Sequence, residues 1–188
     1  MLEKVGISRP DKVYDSYPHL LSGGMRQRVM IAIALACNPS ILIADEPTTA
    51  LDVTIQSQIL DLLNEIKNDF DTSILLITHD LGVVAEIADE VLVMYAGKIV
   101  EDTNVYDLFN NPKHPYTKGL LSSTPKIKED REVLGYIKGT VPTPKKMPKG
   151  CKFHPRCPYA MEKCVQNEPE LIQIDESTKV RCWLFEDN

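Results

Sequence analysis

Two adjacent carboxylates, Asp45 and Glu46, follow an apolar run at residues 41–44, and a histidine, His79, follows a second run at residues 74–77. Short apolar runs of this kind fit strands buried on both faces of a parallel sheet. Ligands of open α/β sheets sit just beyond the carboxyl ends of the strands. Two carboxylates there divide labour. The first, Asp45, holds Mg²⁺ directly or through water, and the second, Glu46, polarises an attacking water. A histidine at the same edge donates a hydrogen bond to a terminal phosphate. The plainer alternatives are a turn begun by Asp45 and Glu46 before Pro47, and a structural histidine.

Ser22-Gly23-Gly24 precedes a helix predicted over residues 25–37. Ser22 is a good N-cap, and the glycines let backbone approach a ligand without a Cβ clash. A helix N-terminus with such an approach suits phosphate. The alternative is a capped core helix behind a glycine turn. Four of the five cysteines, Cys151, Cys157, Cys164 and Cys182, crowd the end of the chain in a C-x5-C-x6-C-x17-C pattern. Four thiolates hold either a [4Fe–4S] cluster or a tetrahedral Zn²⁺, and free thiols or disulfides are the remaining alternatives.

The elements between these groups must position them. Beyond Arg28 the first helix is apolar on nearly all faces, so it is expected to be buried, with Cys37 in the core. Asp52 caps a second helix over residues 53–67, whose Ile55, Ile59, Leu62, Leu63 and Ile66 form an amphipathic stripe. A turn spans 69–72, and a short helix 81–88. Residues 91–94 and 99–101 flank Tyr95-Ala96-Gly97-Lys98 as a hairpin. Gly97-Lys98 is a turn and no phosphate loop, because Ile99 follows where Ser or Thr is needed. Short helices are predicted over 105–110 and from His114 to about residue 123. The stretch 125–150, rich in Lys and Pro, reads as an extended surface segment. The basic run (Lys138, Lys145, Lys146, Lys149, Lys152, Arg156) reads as a solvated face, with contact to an anionic cluster or a lipid headgroup as the alternative.

A chain of 188 residues, 43% hydrophobic and 26% charged, is long enough for a core plus an appendage. The net charge of -6 argues against a dedicated nucleic-acid binder. The longest apolar run, residues 29–37, is far short of the ~20 residues that cross a bilayer. No secretory signal is visible at the start, so the cysteines point to metal before disulfides and membrane association to a partner.

Together the segments resemble an ABC-type ATPase. Leu21-Ser22-Gly23-Gly24-Met25-Arg26-Gln27-Arg28 looks like the signature motif. Residues 41–46 look like a Walker B strand with its glutamate, Thr49-Ala50-Leu51-Asp52 like the D-loop, and His79 like the switch histidine. His114-Pro115-Tyr116-Thr117 and the Gly150–Pro158 segment are similar to the C-terminal extension of oligopeptide/dipeptide importer ATPase subunits. The resemblance implies an α/β fold: part of a P-loop NTPase parallel sheet with flanking helices and a C-terminal β-hairpin over 1–110, then a loop-rich, cysteine-containing extension over 111–188. It implies ATP with Mg²⁺ at Asp45, Glu46 as catalytic residue and His79 at the γ-phosphate. Ser22, Gly23, Gly24 and Gln27 would engage ATP held by the opposite subunit of a head-to-tail dimer, with Asp52 communicating across it. The family extension is associated with a [4Fe–4S] cluster, which Cys151, Cys157, Cys164 and Cys182 would hold in a structural role.

The implied function is ATP binding and hydrolysis that energises import of peptides, or of nickel and related solutes. The implied place is the cytoplasmic face of the plasma membrane, with a second ATPase subunit, permease subunits and, indirectly, an extracellular solute-binding protein. No nucleic acid is expected. No Gly-x-x-x-x-Gly-Lys-[Ser/Thr] occurs in the 188 residues. The expectation is therefore the C-terminal part of a subunit, inactive alone, with a gap or re-pairing in the sheet beside the His79 strand. Two alternatives stand beside it: a non-enzymatic metal-binding or regulatory remnant, and a non-transport ABC ATPase.

Overall fold

The computed structural model describes residues 1–49, 51–70, 72–124 and 135–186. They fall into two units, Met1–Ile87 and Ala88–Asn188. Ala50, Asp71 of the 69–72 turn, and 125–134 of the extended segment lie outside the described residues.

In the first unit a short helix α1 (Pro10–Tyr14) leads to helix α2 (Gly23–Leu35). Ser22 caps α2, its Oγ accepting the Met25 N–H at 3.3 Å. Strand β1 (Ile41–Asp45), helix α3 (Val53–Asp69) and strand β2 (Ser73–Ile77) form a βαβ unit, and helix α4 (Leu81–Ile87) follows. Asp52 caps α3, its Oδ1 accepting the Ile55 N–H at 3.0 Å. β1 and β2 are parallel, with Leu42 opposite Ile74 and Asp45 opposite Ile77. The predicted stripe is the core: Ile59, Leu62, Leu63 and Ile66 of α3 are buried with Ile31 and Leu35 of α2 and Leu42 of β1. Each such side chain contributes about 1.5–3 kcal/mol of gross burial energy.

Three expectations of burial fail. Ile41 and Ile43 are 62% and 64% exposed, so β1 alternates instead of being buried on both faces. Met30 and Ile33 of α2 face solvent, and Cys37 is exposed, not a core residue. The cause is one-sided coverage. Among the described residues the sheet of this unit has two strands, and the core meets the face that carries Leu42, Ile74 and Leu76.

In the second unit β3 (Glu90–Tyr95) and β4 (Lys98–Asn104) form the predicted hairpin. Its turn residues Ala96 and Gly97 have φ of 47° and 79°, the double left-handed geometry that matches strand twist. Asn104 caps helix α5 (Val105–Asn110), and His114 caps helix α6 (Pro115–Ser122). Helix α7 (Glu162–Gln166) and two short strands, β5 (Ile172–Gln173) and β6 (Lys179–Val180), lie in the tail. β6 pairs with β4, giving the order β3-β4-β6-β5. The cysteine-containing tail is thus stitched to the hairpin.

Tyr95, Tyr116 and Phe153 pack as a trio with ring centroids 4.7–5.4 Å apart. Arg156 lies over Tyr95 and donates to the carbonyls of Ile137 and Lys138 at 3.1 and 2.9 Å. Lys152 is largely buried, bonded to the Pro148 carbonyl and paired with Glu168 at 3.3 Å. These two cations are removed from the solvated face that the basic run suggested. Each finds local acceptors, which repay its desolvation.

Candidate functional site at the carboxyl edge of the parallel strands

The parallel pairing brings the predicted chemistry to one edge. Asp45 ends β1 directly opposite Ile77, two residues before His79. The Glu46 N–H donates to the Ile77 carbonyl at 2.8 Å, which carries the pairing one residue further. Glu46 has φ of 45°, in the left-handed region that costs a non-glycine residue energy. From that fixed position its Oε1 lies 3.0 Å from His79 Nδ1. Its Oε2 accepts the Thr49 hydroxyl at 2.9 Å. Those two hydrogen bonds, Thr49 first and His79 second, hold the Glu46 carboxyl below the usual carboxylate range. The carboxylate and the imidazole are 45% and 79% exposed, so a ligand can reach both.

The loop beyond β2 is held separately. Asp80 Oδ1 accepts the Gly82 N–H at 2.8 Å, and the Thr78 hydroxyl accepts the Asp80 N–H at 3.0 Å. Asp45 is exposed at the strand end.

Ser22, Gly23, Gly24 and Gln27 occupy the start of α2. Among the described residues no hydrogen bond joins them to Glu46 or His79, so the structure brings together Glu46, His79 and Thr49, and leaves the α2 group apart. The two glycines do different work. A Cβ on Gly23 would sit 3.5 Å from Leu51, an ordinary contact. A Cβ on Gly24 would sit 2.7 Å from Ile55 Cγ2 on α3. At Gly24 a side chain would therefore collide with α3, whereas at Gly23 it would not. Arg28 ties the same helix down, donating to the Val5 carbonyl at 2.6 Å and to Gln58 at 3.2 Å.

One residue of the site, Thr49, and one buried carboxylate of the second unit, Glu101, escaped the sequence. Thr49 was quoted only as part of a motif, although a hydroxyl three residues beyond Glu46 across Pro47 is a spacing that turns exploit. Glu101, fully buried, accepts the N–H groups of Lys113 and His114 at 2.7 and 2.8 Å. Its strand position carried no signal of that role.

In the tail, Cys151 and Cys164 are joined through their backbones, the Cys151 N–H donating to the Cys164 carbonyl at 2.8 Å. Burial pushes the Cys151 and Cys157 thiols up and Cys182 up to about 11. Repulsion from the other cysteines adds to each shift, all three acting on Cys182. The donor chemistry suits a soft metal. The arrangement does not: among the described residues no group of three His, Cys, Asp or Glu is set to hold an ion. No helix of the described residues is long and apolar enough to cross a membrane.

A family model for the ABC transporter matches residues 1–49, which include the α2 start and both edge carboxylates. A second, for the oligopeptide/dipeptide transporter C-terminal region, matches residues 100–164. The chain is similar to ATP-binding proteins of oligopeptide and dipeptide transport. It is 59% identical to the oligopeptide transport ATP-binding protein AppD of Bacillus subtilis, over 100% of this chain and 57% of that protein. It is 55% identical to the dipeptide transport ATP-binding protein DppD of Haemophilus influenzae (97% of this chain, 55% of that protein). It is 50% identical to DppD of Escherichia coli (97% and 56%). The chain thus spans about half the length of the curated relatives it matches.

Proposed function

We propose that this chain works in ATP binding and hydrolysis that energises import of peptides, or of nickel and related solutes, across a membrane. The pairing of Glu46 with His79 at 3.0 Å, at the carboxyl ends of two parallel strands, carries the proposal. Identity across nearly the whole chain to oligopeptide and dipeptide transport ATP-binding proteins supports the choice of solute.

ATP with Mg²⁺ supplies the phosphoryl group and the charge that screens it; Asp45 is the Mg²⁺ residue. Glu46 orients and polarises the attacking water. His79, whose Nδ1 is taken by Glu46, turns its other ring nitrogen to the γ-phosphate. Phosphoryl transfer asks mainly for positioning and charge stabilisation, which these side chains supply. Ser22, Gly23 and Gln27 engage ATP of an opposite subunit, with Gly24 setting the helix against α3, and Asp52 stands at that interface. The phosphate-cradling loop is not among these 188 residues, and turnover is assigned to the assembly with its partner subunits. By function, residues 1–110 form the ATPase part and 111–188 the transporter extension.

The partners are a second ATPase subunit, permease subunits and, through them, an extracellular solute-binding protein, at the cytoplasmic face of the membrane. The four tail thiols are the donor set for a structural [4Fe–4S] cluster, with Zn²⁺ as the alternative. Their mutual proximity supports this, and binding requires the sulfurs to draw together.

The test is to tag this chain in its host, purify it from detergent-solubilised membranes and assay ATP hydrolysis with and without di- to pentapeptides. Co-purifying permease subunits and peptide-dependent turnover are expected. Recovery free of membranes, without turnover, would overturn the transport function. Iron, sulfide and zinc analysis of the anaerobic preparation decides the tail site.

A further inference from the structure

We propose that Thr49 is a positioning residue for Glu46, fixing the carboxylate so that its remaining lone pairs face the attacking water. The inference rests on the proposed function and adds a residue to it. Glu46 leaves the backbone from a strained, doubly tethered position. Its N–H is bonded to Ile77 at 2.8 Å, and its carbonyl accepts the Thr49 N–H at 3.2 Å. With the backbone fixed, only the side-chain torsions of Glu46 are free. The Thr49 hydroxyl removes that freedom from Oε2 at 2.9 Å, as His79 does from Oε1 at 3.0 Å.

Each carboxylate oxygen still has a free lone pair after one hydrogen bond, so the clamp orients the base without saturating it. The His79 bond alone would let the carboxylate pivot about Oε1. Thr49 supplies the second point that stops the pivot. Its β-branch restricts χ1, so the hydroxyl is held in one rotamer more firmly than a serine would hold it. Misplacing a reacting group by about 1 Å costs up to 10²-fold in rate, so loss of one of two tethers is expected to cost about tenfold.

Thr49→Val removes the hydroxyl at nearly constant shape, and Thr49→Ser keeps it. In the ATP-hydrolysing assembly purified through this chain, Thr49→Val is expected to lower kcat about tenfold with KM for ATP unchanged, and Thr49→Ser to restore most of it. Adding Thr49→Val to Glu46→Gln is expected to cost nothing further, because the clamp acts only through Glu46. A Thr49→Val enzyme with normal kcat, beside a dead Glu46→Gln enzyme, would overturn the proposal and leave the function standing. A Glu46→Gln enzyme with normal turnover would remove both. Independently of activity, the Glu46 carboxyl ¹³C resonance of the 188-residue chain at pH 7.5 is expected to move in Thr49→Val and not in Thr49→Ser. An unmoved resonance would overturn the clamp.

Discussion

His79 Nδ1 lies 3.0 Å from Glu46 Oε1, two residues 33 apart in sequence that meet at the ends of paired parallel strands. The contact is exposed, so it does little for the fold. Substituting either side chain is expected to change stability by less than about 0.5 kcal/mol. Chemical denaturation of Glu46→Gln and His79→Ala checks this. A loss of several kcal/mol would mean that the pair is structural.

His114 carries a pH dependence of known sign. It is 1% exposed, and burial pushes its imidazole down to about 4, opposed in part by a backbone hydrogen bond at Arg181. Its unfolded value is near 6.5. Between those values the unfolded chain binds the extra proton, so stability is fully present above about 6.5 and falls as pH drops towards 4. The full loss is about 3 kcal/mol. His114→Asn keeps an acceptor for the Tyr116 N–H, now 3.0 Å from Nδ1, and removes the titration. Urea midpoints at pH 7 and 4.5 should therefore converge in His114→Asn. An unchanged difference would assign the pH dependence elsewhere.

Glu101 holds the chain's turn into α6 through two backbone N–H groups. Truncation to Ala strands both donors in the interior, at about 1–3 kcal/mol each. Glu101→Gln retains one acceptor oxygen and is expected to lose about half as much. Equal stability of Glu101→Ala and wild type would contradict the assignment.

Gly24→Ala forces a Cβ to within 2.7 Å of Ile55 Cγ2. Overpacking of this kind costs about 1–3 kcal/mol. Ile55→Ala removes the obstructing atom, so the double variant should be more stable than the sum of the single losses predicts. Strict additivity would mean that the two helices do not meet there.

How far the sequence revealed these features follows from the range of each signal. The Ser22 and Asp52 caps, the stripe of α3 and the 96–97 turn are set within a few residues, and each stands where it was expected. Burial of Ile33, Ile43 and Cys37 was misjudged because an apolar residue records only a preference, while exposure depends on what covers it. The strands of the tail were invisible, since two-residue elements such as Lys179–Val180 carry no periodicity. Glu101 looked like a hairpin edge because its partners, Lys113 and His114, lie twelve and thirteen residues away.

The most direct test of the central claim is Glu46→Gln in the assembly purified from host membranes through this chain, with ATP binding and single-turnover cleavage measured together. The account predicts unchanged nucleotide binding and cleavage slowed by about 10²–10⁴-fold, the usual contribution of a positioned general base. Cleavage at the wild-type rate would contradict it, and would move the chemistry away from the edge where Glu46 meets His79.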